Sequence, residues 1–200
     1  MPFNRAVLLA KLDPMFLDSY KEAQTEGLNA ILVEWEARKP KGDLRWLAYM
    51  LATAFHETNQ QMQPVREAYW VKNAEAWRKA HLPYYPYYGR GYVQLTHFGN
   101  YKKAGDVVGQ DLVSAPDKAL DAGIAAAIMF VGMEKGWFRG DAKRHDLARY
   151  FSSTADDPVG ARAIINGKEY KEVAGGQVLL ATIIAQYHEA FLDALEHSRK

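Results

Sequence analysis

Apolar residues recur at spacings of three and four along most of the chain, the period of a helical face rather than the alternation of a strand. Behind Asp43, Leu44, Leu47, Ala48, Leu51 and Phe55 follow that period. An aspartate there is a good N-cap, because its side chain accepts from the open N–H groups of the first turn. The spacing predicts a helix over 44–58 that ends near His56, Glu57 and Thr58. An earlier amphipathic stretch over 14–37 carries Phe16, Leu17, Tyr20, Leu28, Ile31, Leu32 and Trp35. Gly27 is expected to break or bend it, and Pro40-Lys41-Gly42 to form a turn. Ser114-Ala115-Pro116-Asp117 reads as a helix start, followed over 115–135 by a buried helix through the run from Ala125 to Val131. Residues 147–151, 161–165 and 177–195 also read as helical.

The middle of the chain breaks this pattern. Residues 59–101 hold Pro64, Pro83, Pro86, Gly89, Gly91 and Gly99 among many aromatics, and only 92–96 reads as a short strand. A long irregular segment inside a helical domain is usually functional. The expectation is one helix-rich domain over 1–200, with a cleft built from its middle third and approached by Asn166.

Composition narrows the classes. A chain of 200 residues suits one domain, and 48% hydrophobic with 24% charged residues excludes disordered and collagen-like chains. Twenty-five Lys and Arg against 24 Asp and Glu leave a net charge of +1, which gives no broad field for nucleic acid or an anionic membrane. Without cysteine there is no disulfide framework, thiolate zinc site or cysteine nucleophile. The apolar run from Ala6 to Ala10 is shorter than a signal-peptide core and is interrupted by Lys11 and Asp13. No window of about 18 apolar residues suggests a membrane span. The expectation is synthesis in the cytoplasm without a signal peptide and no stable membrane insertion.

Several constellations could carry chemistry. Glu57 falls where the 44–58 helix ends. A helix C-terminus carries partial negative charge, which disfavours an ionised carboxylate, and burial against Phe55 pushes the same way. A carboxyl kept protonated near neutral pH serves as a general acid; the plainer alternative is a solvent-exposed glutamate on a helix end. A zinc motif fails, because the position four after His56 is Gln60. Glu67 follows in Pro64-Val65-Arg66-Glu67-Ala68-Tyr69-Trp70. Two carboxylates flanking a cleft are the minimum for glycoside hydrolysis. Glu67 could equally be a loop residue paired with Arg66, and Glu75 competes for its role.

Gly89 and Gly91 allow tight turns into and out of positive φ. The alternation after them would point Tyr92, Gln94 and Thr96 to one face. With Asn100 nearby, such side chains suit a substrate rich in hydroxyl and acetamido groups; an ordinary hairpin edge is the alternative. The glycines are no nucleotide fingerprint, since the third is absent. Pro83-Tyr84-Tyr85-Pro86-Tyr87-Tyr88, with Trp70 and Trp77, offers aromatic faces for sugar rings, or packing that stiffens a loop. Stacking of nucleic-acid bases wants a basic groove, and the cations nearby are only Arg66, Lys72, Arg78, Lys79 and Arg90. Asn166, before Gly167, could cap a helix, hold substrate or orient a catalytic group.

Taken in order, His56-Glu57-Thr58, Glu67, Gly89-Arg90-Gly91-Tyr92-Val93-Gln94-Leu95-Thr96, Asn100-Tyr101 and Ile164-Ile165-Asn166-Gly167 resemble glycoside hydrolase family 19, the chitinase family of the lysozyme-like superfamily. The resemblance is closest to the small bacterial and phage members that act as endolysins. It implies a mainly α, lysozyme-like α+β domain with a very small β element beside the cleft. It assigns the general acid to Glu57, the base to Glu67 and a water-holding hydroxyl to Thr96, with His56, Tyr88, Arg90, Gln94, Asn100 and Asn166 binding substrate. A late arginine of the plant enzymes finds no counterpart in 179–195. The implied reaction is inverting hydrolysis of β-1,4 bonds between N-acetylated amino sugars, with no metal or organic cofactor. Peptidoglycan is the first expected substrate, chitin the second, and a catalytically inactive carbohydrate-binding relative the further alternative. The expected partner is the polysaccharide and no nucleic acid, the expected state a monomer. The expected site of action is the cell wall after release, in the host periplasm if the protein is phage-encoded.

Overall fold

The computed structural model describes residues 3–39, 42–139, 143–173 and 176–199. Its helices are α1 (Arg5–Leu12), α2 (Lys21–Arg38), α3 (Leu44–Glu57), α4 (Ala74–His81), α5 (Phe98–Val108), α6 (Ala122–Lys135), α7 (Leu147–Tyr150) and α8 (Leu180–His197). Small antiparallel ribbons join them: β1 (Val65–Arg66) with β2 (Arg90–Gly91), β3 (Phe151–Ser152) with β4 (Ala155–Asp156), and β5 (Tyr170–Val173) with β6 (Gly176–Leu179). The architecture is mainly helical, as the apolar period predicts, with very small β elements, as the resemblance implies. Among the described residues no helix is long and apolar enough to cross a membrane.

α3 is the buried centre. The Asp43 carboxylate accepts from Arg45 N at 3.0 Å and starts the helix, and every residue from Leu47 to Phe55 is buried. A helix that is buried all round belongs to the core, not to an amphipathic surface. α8 packs along it, with Phe55 edge-on to Tyr187 at 4.9 Å and to Phe191 at 5.9 Å. α2 packs on α6 through Trp35 and Phe130, 6.1 Å apart. A second, smaller cluster gathers Leu95, Tyr101, Ala104, Leu112, Ala119 and Ile128 around α5, and Phe138 packs against both clusters.

Several predicted boundaries move. Gly27 does not break α2, which runs unbroken through it. A Cβ on Gly27 would stand 1.6 Å from Met62 O, so glycine is there to let the loop after α3 approach. Gln24 and Gln63 hold that approach, donating to Gln60 O at 2.8 Å and to Ala23 O at 2.7 Å. The helix expected over 115–135 starts later. Pro116–Leu120 is a 3₁₀ turn, and Asp121 caps α6 by accepting from Gly123 N and Ile124 N, both at 3.0 Å. Gly160–Ile164 is likewise 3₁₀. Gln177 to Leu179 form β6 rather than the start of α8, because they pair with Tyr170 to Glu172. Pro40 and Lys41 of the expected turn lie outside the described residues.

The strand expected over 92–96 is absent. The chain turns at Tyr92–Gln94, and Leu95 N returns to Arg90 O at 2.8 Å. Gly91 at φ +90° and Gln94 at φ +55° make that reversal, so Tyr92, Gln94 and Thr96 share no strand face.

One core residue ties this packing to pH. His188 of α8 is 2% exposed, lies against Tyr49 and Phe151, and has no hydrogen-bond partner on either ring nitrogen. Burial drives its pKa down to about 4, with Asp156 opposing and Arg45 assisting. The unfolded imidazole, at about 6.5, takes up a proton in a pH range where the folded one stays neutral. Stability is therefore full above about pH 6.5 and falls on acidification toward pH 4, by roughly 2 kcal/mol between pH 7 and pH 5. Urea unfolding at those two pH values should show this loss in the wild type and a flattened difference in His188→Phe. An equally steep loss in the variant would assign the acid sensitivity elsewhere.

Candidate active site

The end of α3 is closed by Thr58. Its buried hydroxyl donates to Ala54 O at 2.7 Å and accepts from Met62 N at 2.9 Å. Glu57, on the last turn, is left facing a cavity with its side chain 16% exposed. Its partner is a residue the sequence reading passed over. Arg162, from the 3₁₀ turn Gly160–Ile164, donates through Nη1 to Glu57 Oε1 at 2.5 Å and through Nη2 to Glu169 Oε2 at 2.5 Å. Glu169 Oε1 accepts from Asn166 Nδ2 at 2.6 Å. Burial works against the charge of Arg162, and the two carboxylates outweigh it and raise its pKa. The expected apolar surrounding of Glu57 is thus replaced by a guanidinium. Residues 179–195, where the resemblance leads one to expect a late arginine, run on from the end of the β5–β6 hairpin, whereas Arg162 stands one turn ahead of Asn166. That proximity was the available signal.

Glu67 is held by the β1–β2 ribbon. Its Oε2 accepts from Gly89 N and its Oε1 from the Tyr84 hydroxyl, both at 2.8 Å. Its backbone carbonyl accepts from Arg78 Nε at 2.6 Å. Burial, reinforced by the Glu67 carboxylate, pushes the Tyr84 phenol up to about 12, so it keeps its proton and remains a donor. Of the two glycines in the motif, only Gly91 uses positive φ. Gly89 serves a close approach instead, since a Cβ there would stand 2.6 Å from Gln94 Oε1. The Gln94 amide spans the turn to Val65 O at 3.2 Å and Gly91 O at 3.3 Å. The Thr96 hydroxyl donates to Gln94 O at 2.8 Å, and Asn100 Nδ2 to Thr96 O at 2.9 Å.

Glu57, Gln94, Thr96, Asn100 and Asn166 line one cavity of about 260 Å³, with Tyr84 on its wall and Val93, Phe138 and Ile165 as apolar lining. Glu67 does not line this cavity; it stands behind Tyr84, whose hydroxyl donates to its Oε1. His56 does not line it. With Glu57, Asn59, Tyr69 and Trp70 it lines an adjoining cavity of about 380 Å³, and burial lowers its pKa.

Tyr88 and Arg90 are not brought to either cavity, against expectation. The Tyr88 hydroxyl donates to Glu75 Oε2 at 3.1 Å. The Arg90 guanidinium lies 3.7 Å over the Tyr88 ring and donates to Asp117 at 2.8 Å and Pro86 O at 3.0 Å. Both line a separate cavity of about 720 Å³ with Glu75, Arg78 and Asp117. The cause is the turn itself: with Gly89 and Gly91 meeting Gln94 and the core, the side chain between them is sent the other way. Glu75 lines that separate cavity and not the one that Glu57 lines. Against the cost of its partial burial, hydrogen bonds from Tyr85, Arg78 and Tyr88 hold its carboxyl below the usual range. Among the described residues no group of three or more His, Asp or Glu side chains is placed to hold a metal ion.

A family model described as chitinase class I, the model of glycoside hydrolase family 19, matches residues 48–131. Chitinase 11 of Oryza sativa subsp. japonica is 66% identical over 32 residues, 16% of this chain and 12% of its own length. Acidic endochitinase Q of Nicotiana tabacum is 58% identical over 40 residues, 20% of this chain and 16% of its own length. Chitinase 8 of Oryza sativa subsp. japonica is 40% identical over 83 residues, 38% of this chain and 30% of its own length. The chain therefore spans less than a third of the length of these curated relatives. Two solved structures share the fold across 96% of the chain: a chitinase C variant (TM-score 0.56, 21% identity, 76% of that chain) and a bacterial family 19 chitinase (TM-score 0.51, 22% identity, 93% of that chain). The fold is the mainly helical, lysozyme-like one.

Removing the Arg162 guanidinium leaves two carboxylates facing each other in a half-closed site. Breaking a buried ion pair on one side costs about 3–5 kcal/mol. Arg162→Leu should therefore melt roughly 10 °C lower, with Arg162→Lys in between. An unchanged melting temperature for Arg162→Leu would show that the pair holds nothing together.

Proposed function

We propose, on the premise that residues 48–131 carry the signature of glycoside hydrolase family 19, that the protein hydrolyses β-1,4 bonds between N-acetylated amino sugars with inversion, and that its substrate is a chitin-type oligomer. The observation that carries this reading is the convergence of Glu57, Gln94, Thr96, Asn100 and Asn166 on one cavity, with the Tyr84 hydroxyl linking Glu67 to its wall.

In this reading Glu57 protonates the departing glycosidic oxygen and Glu67 takes a proton from the attacking water. Inverting hydrolysis keeps its two carboxyl groups about 6.5–9.5 Å apart to admit that water. The Thr96 hydroxyl has spent its proton on Gln94 O, so its lone pairs are free to accept from the water and orient it. When Glu57 gives up its proton, Arg162 already faces the carboxylate that is left, and a preorganised charge of that kind needs no rearrangement during the reaction. Gln94, Asn100 and Asn166 offer amide and carbonyl groups to sugar hydroxyl and acetamido groups.

The sequence reading put peptidoglycan ahead of chitin, and two observations support the reverse order. The relatives named above are called chitinases or endochitinase. Among the described residues, neither of the two cavities that Glu57 lines has a Lys or Arg in its lining, whereas a sugar carrying a peptide stem brings carboxylates that such a lining would not receive.

Reducing-end release from chitin oligomers and from purified peptidoglycan sacculi tests the reading, with the anomeric form of the first product followed by NMR. Hydrolysis of the oligomers with an inverted product is expected. Activity on sacculi alone would restore peptidoglycan, and binding without hydrolysis would make the protein a carbohydrate-binding relative. Glu57→Gln should lose at least about 10²-fold in turnover while keeping its helical circular dichroism.

Thr96→Ser should retain far more activity than Thr96→Val at similar melting temperatures. Equal turnover by Thr96→Val and wild type would remove the hydroxyl from the mechanism.

A further inference from the structure

Trp70 is the most exposed large apolar side chain among the described residues, at 74%. An indole is one of the largest apolar surfaces a chain can hide, and this one is held out in the open. It meets Tyr69 edge-on, with ring centres 5.1 Å apart at 81°, and Tyr69 is itself braced where its hydroxyl accepts from Gln61 Nε2 at 3.3 Å. Both rings border the cavity of about 380 Å³ that also includes His56, Glu57 and Asn59.

Among the described residues, Glu57 is the one side chain common to this cavity and to the one lined by Thr96 and Asn166. A glycosidic bond has a sugar on each side, and an acid that protonates the bridging oxygen must stand between the two. Two cavities meeting at Glu57 supply both places. Thr96 and Glu67 serve the water, which attacks the anomeric carbon on the face opposite the leaving oxygen. The sugar that is attacked therefore belongs in the cavity of Thr96, and the sugar that leaves belongs in the cavity of Trp70. The chemistry of the second cavity suits a neutral sugar ring. Burial lowers the pKa of His56 and so favours its neutral form, Asn59 supplies an amide, and Glu57 is the one carboxylate in the lining among the described residues.

We propose that Trp70 is the stacking platform of a leaving-group subsite, which takes the N-acetylated amino sugar on the reducing-end side of the cleaved bond. This rests on the hydrolytic reading above and extends it to the direction in which the chain lies across Glu57.

A chitin hexamer and β-chitobiosyl fluoride, whose leaving group is fluoride rather than a sugar, test the direction. For Trp70→Ala, KM on the hexamer should rise about tenfold, because the sugar beside the cleaved bond rests on this platform in every productive mode, while KM on the fluoride keeps its wild-type value. Trp70→Phe should keep most of the wild-type KM on both substrates, which a loss of fold would not allow. An unchanged hexamer KM in Trp70→Ala would overturn the subsite, and an equal rise on the fluoride would overturn its assignment to the leaving side. If the wild type cleaves no amino-sugar oligomer, the hydrolytic reading fails on its own. The platform is then judged by binding: hexamer added to Glu57→Gln should shift tryptophan emission to the blue, and the shift should vanish in Glu57→Gln with Trp70→Phe. No shift in the first protein, or an equal shift in both, would overturn it.

Discussion

The buried guanidinium of Arg162 is the constraint around which the site is arranged. Its side chain is 6% exposed, and moving a charge of that size out of water costs several kcal/mol unless opposite charge and hydrogen bonds meet it. Glu57 from the end of α3 and Glu169 from the approach to β5 both do so. Because the cation cannot be left alone, the two segments that carry its partners cannot move independently. Asn166 follows, since its amide donates to the other oxygen of Glu169. One desolvated charge thus sets the direction of the Glu57 carboxyl and brings Asn166 to the same cavity.

The other wall is arranged by hydrogen bonds to backbone and side chain. Glu67 N donates to Gly89 O and Gly89 N donates back to Glu67 Oε2, which locks the carboxyl to the ribbon that carries it. From there the connections run through Gln94 to Thr96 and on to Asn100. Each bond is worth about 1 kcal/mol in net stability, so none alone holds the wall. Their common effect is positional: the turn at 92–94 brings a hydroxyl and two amides to bear on the cavity without a strand to carry them. Leu95 and Tyr101 tie this wall to the smaller cluster around α5, while Tyr92 and Val93 tie it to the larger one around α3; Phe138, packed on both clusters, lines the cavity.

What could be read from the sequence was what depends on near neighbours. The Asp43 cap, the period from Leu44 to Phe55 and the position of Glu57 at the end of that helix are all set within a few residues. Glu57, Gln94, Thr96, Asn100 and Asn166 come together in the structure, although their spacing alone did not dictate it. What escaped was decided across long stretches of chain. Arg162 meets Glu57 from 105 residues away, and Gly27 is demanded by Met62 O, which no helical period can foretell. Gln177 to Leu179 continue the apolar pattern of α8, and only their pairing with Tyr170 to Glu172 turns them into a strand. At 92–96 the alternation was real, but a glycine at φ +90° immediately before it had already turned the chain.

Size does not identify the reactive cavity. One of about 720 Å³ is lined by Arg66, Arg78, Arg90, Glu75 and Asp117, a set that looks reactive by composition. Its charges, however, are already spent on one another. Asp117 accepts from Arg66 at 2.9 Å and from Arg90 at 2.8 Å, while Glu75 accepts from Arg78 at 2.8 Å, Tyr85 at 2.9 Å and Tyr88 at 3.1 Å. The Tyr88 face is covered by Arg90. A ligand entering there would have to break those pairs before gaining any of its own. In the smaller cavity Thr96 has given away its proton and kept its lone pairs, and Glu57 keeps one oxygen beyond the contact with Arg162. Chemistry needs groups that are held in place yet not exhausted, and that distinction separates the two cavities more sharply than volume does.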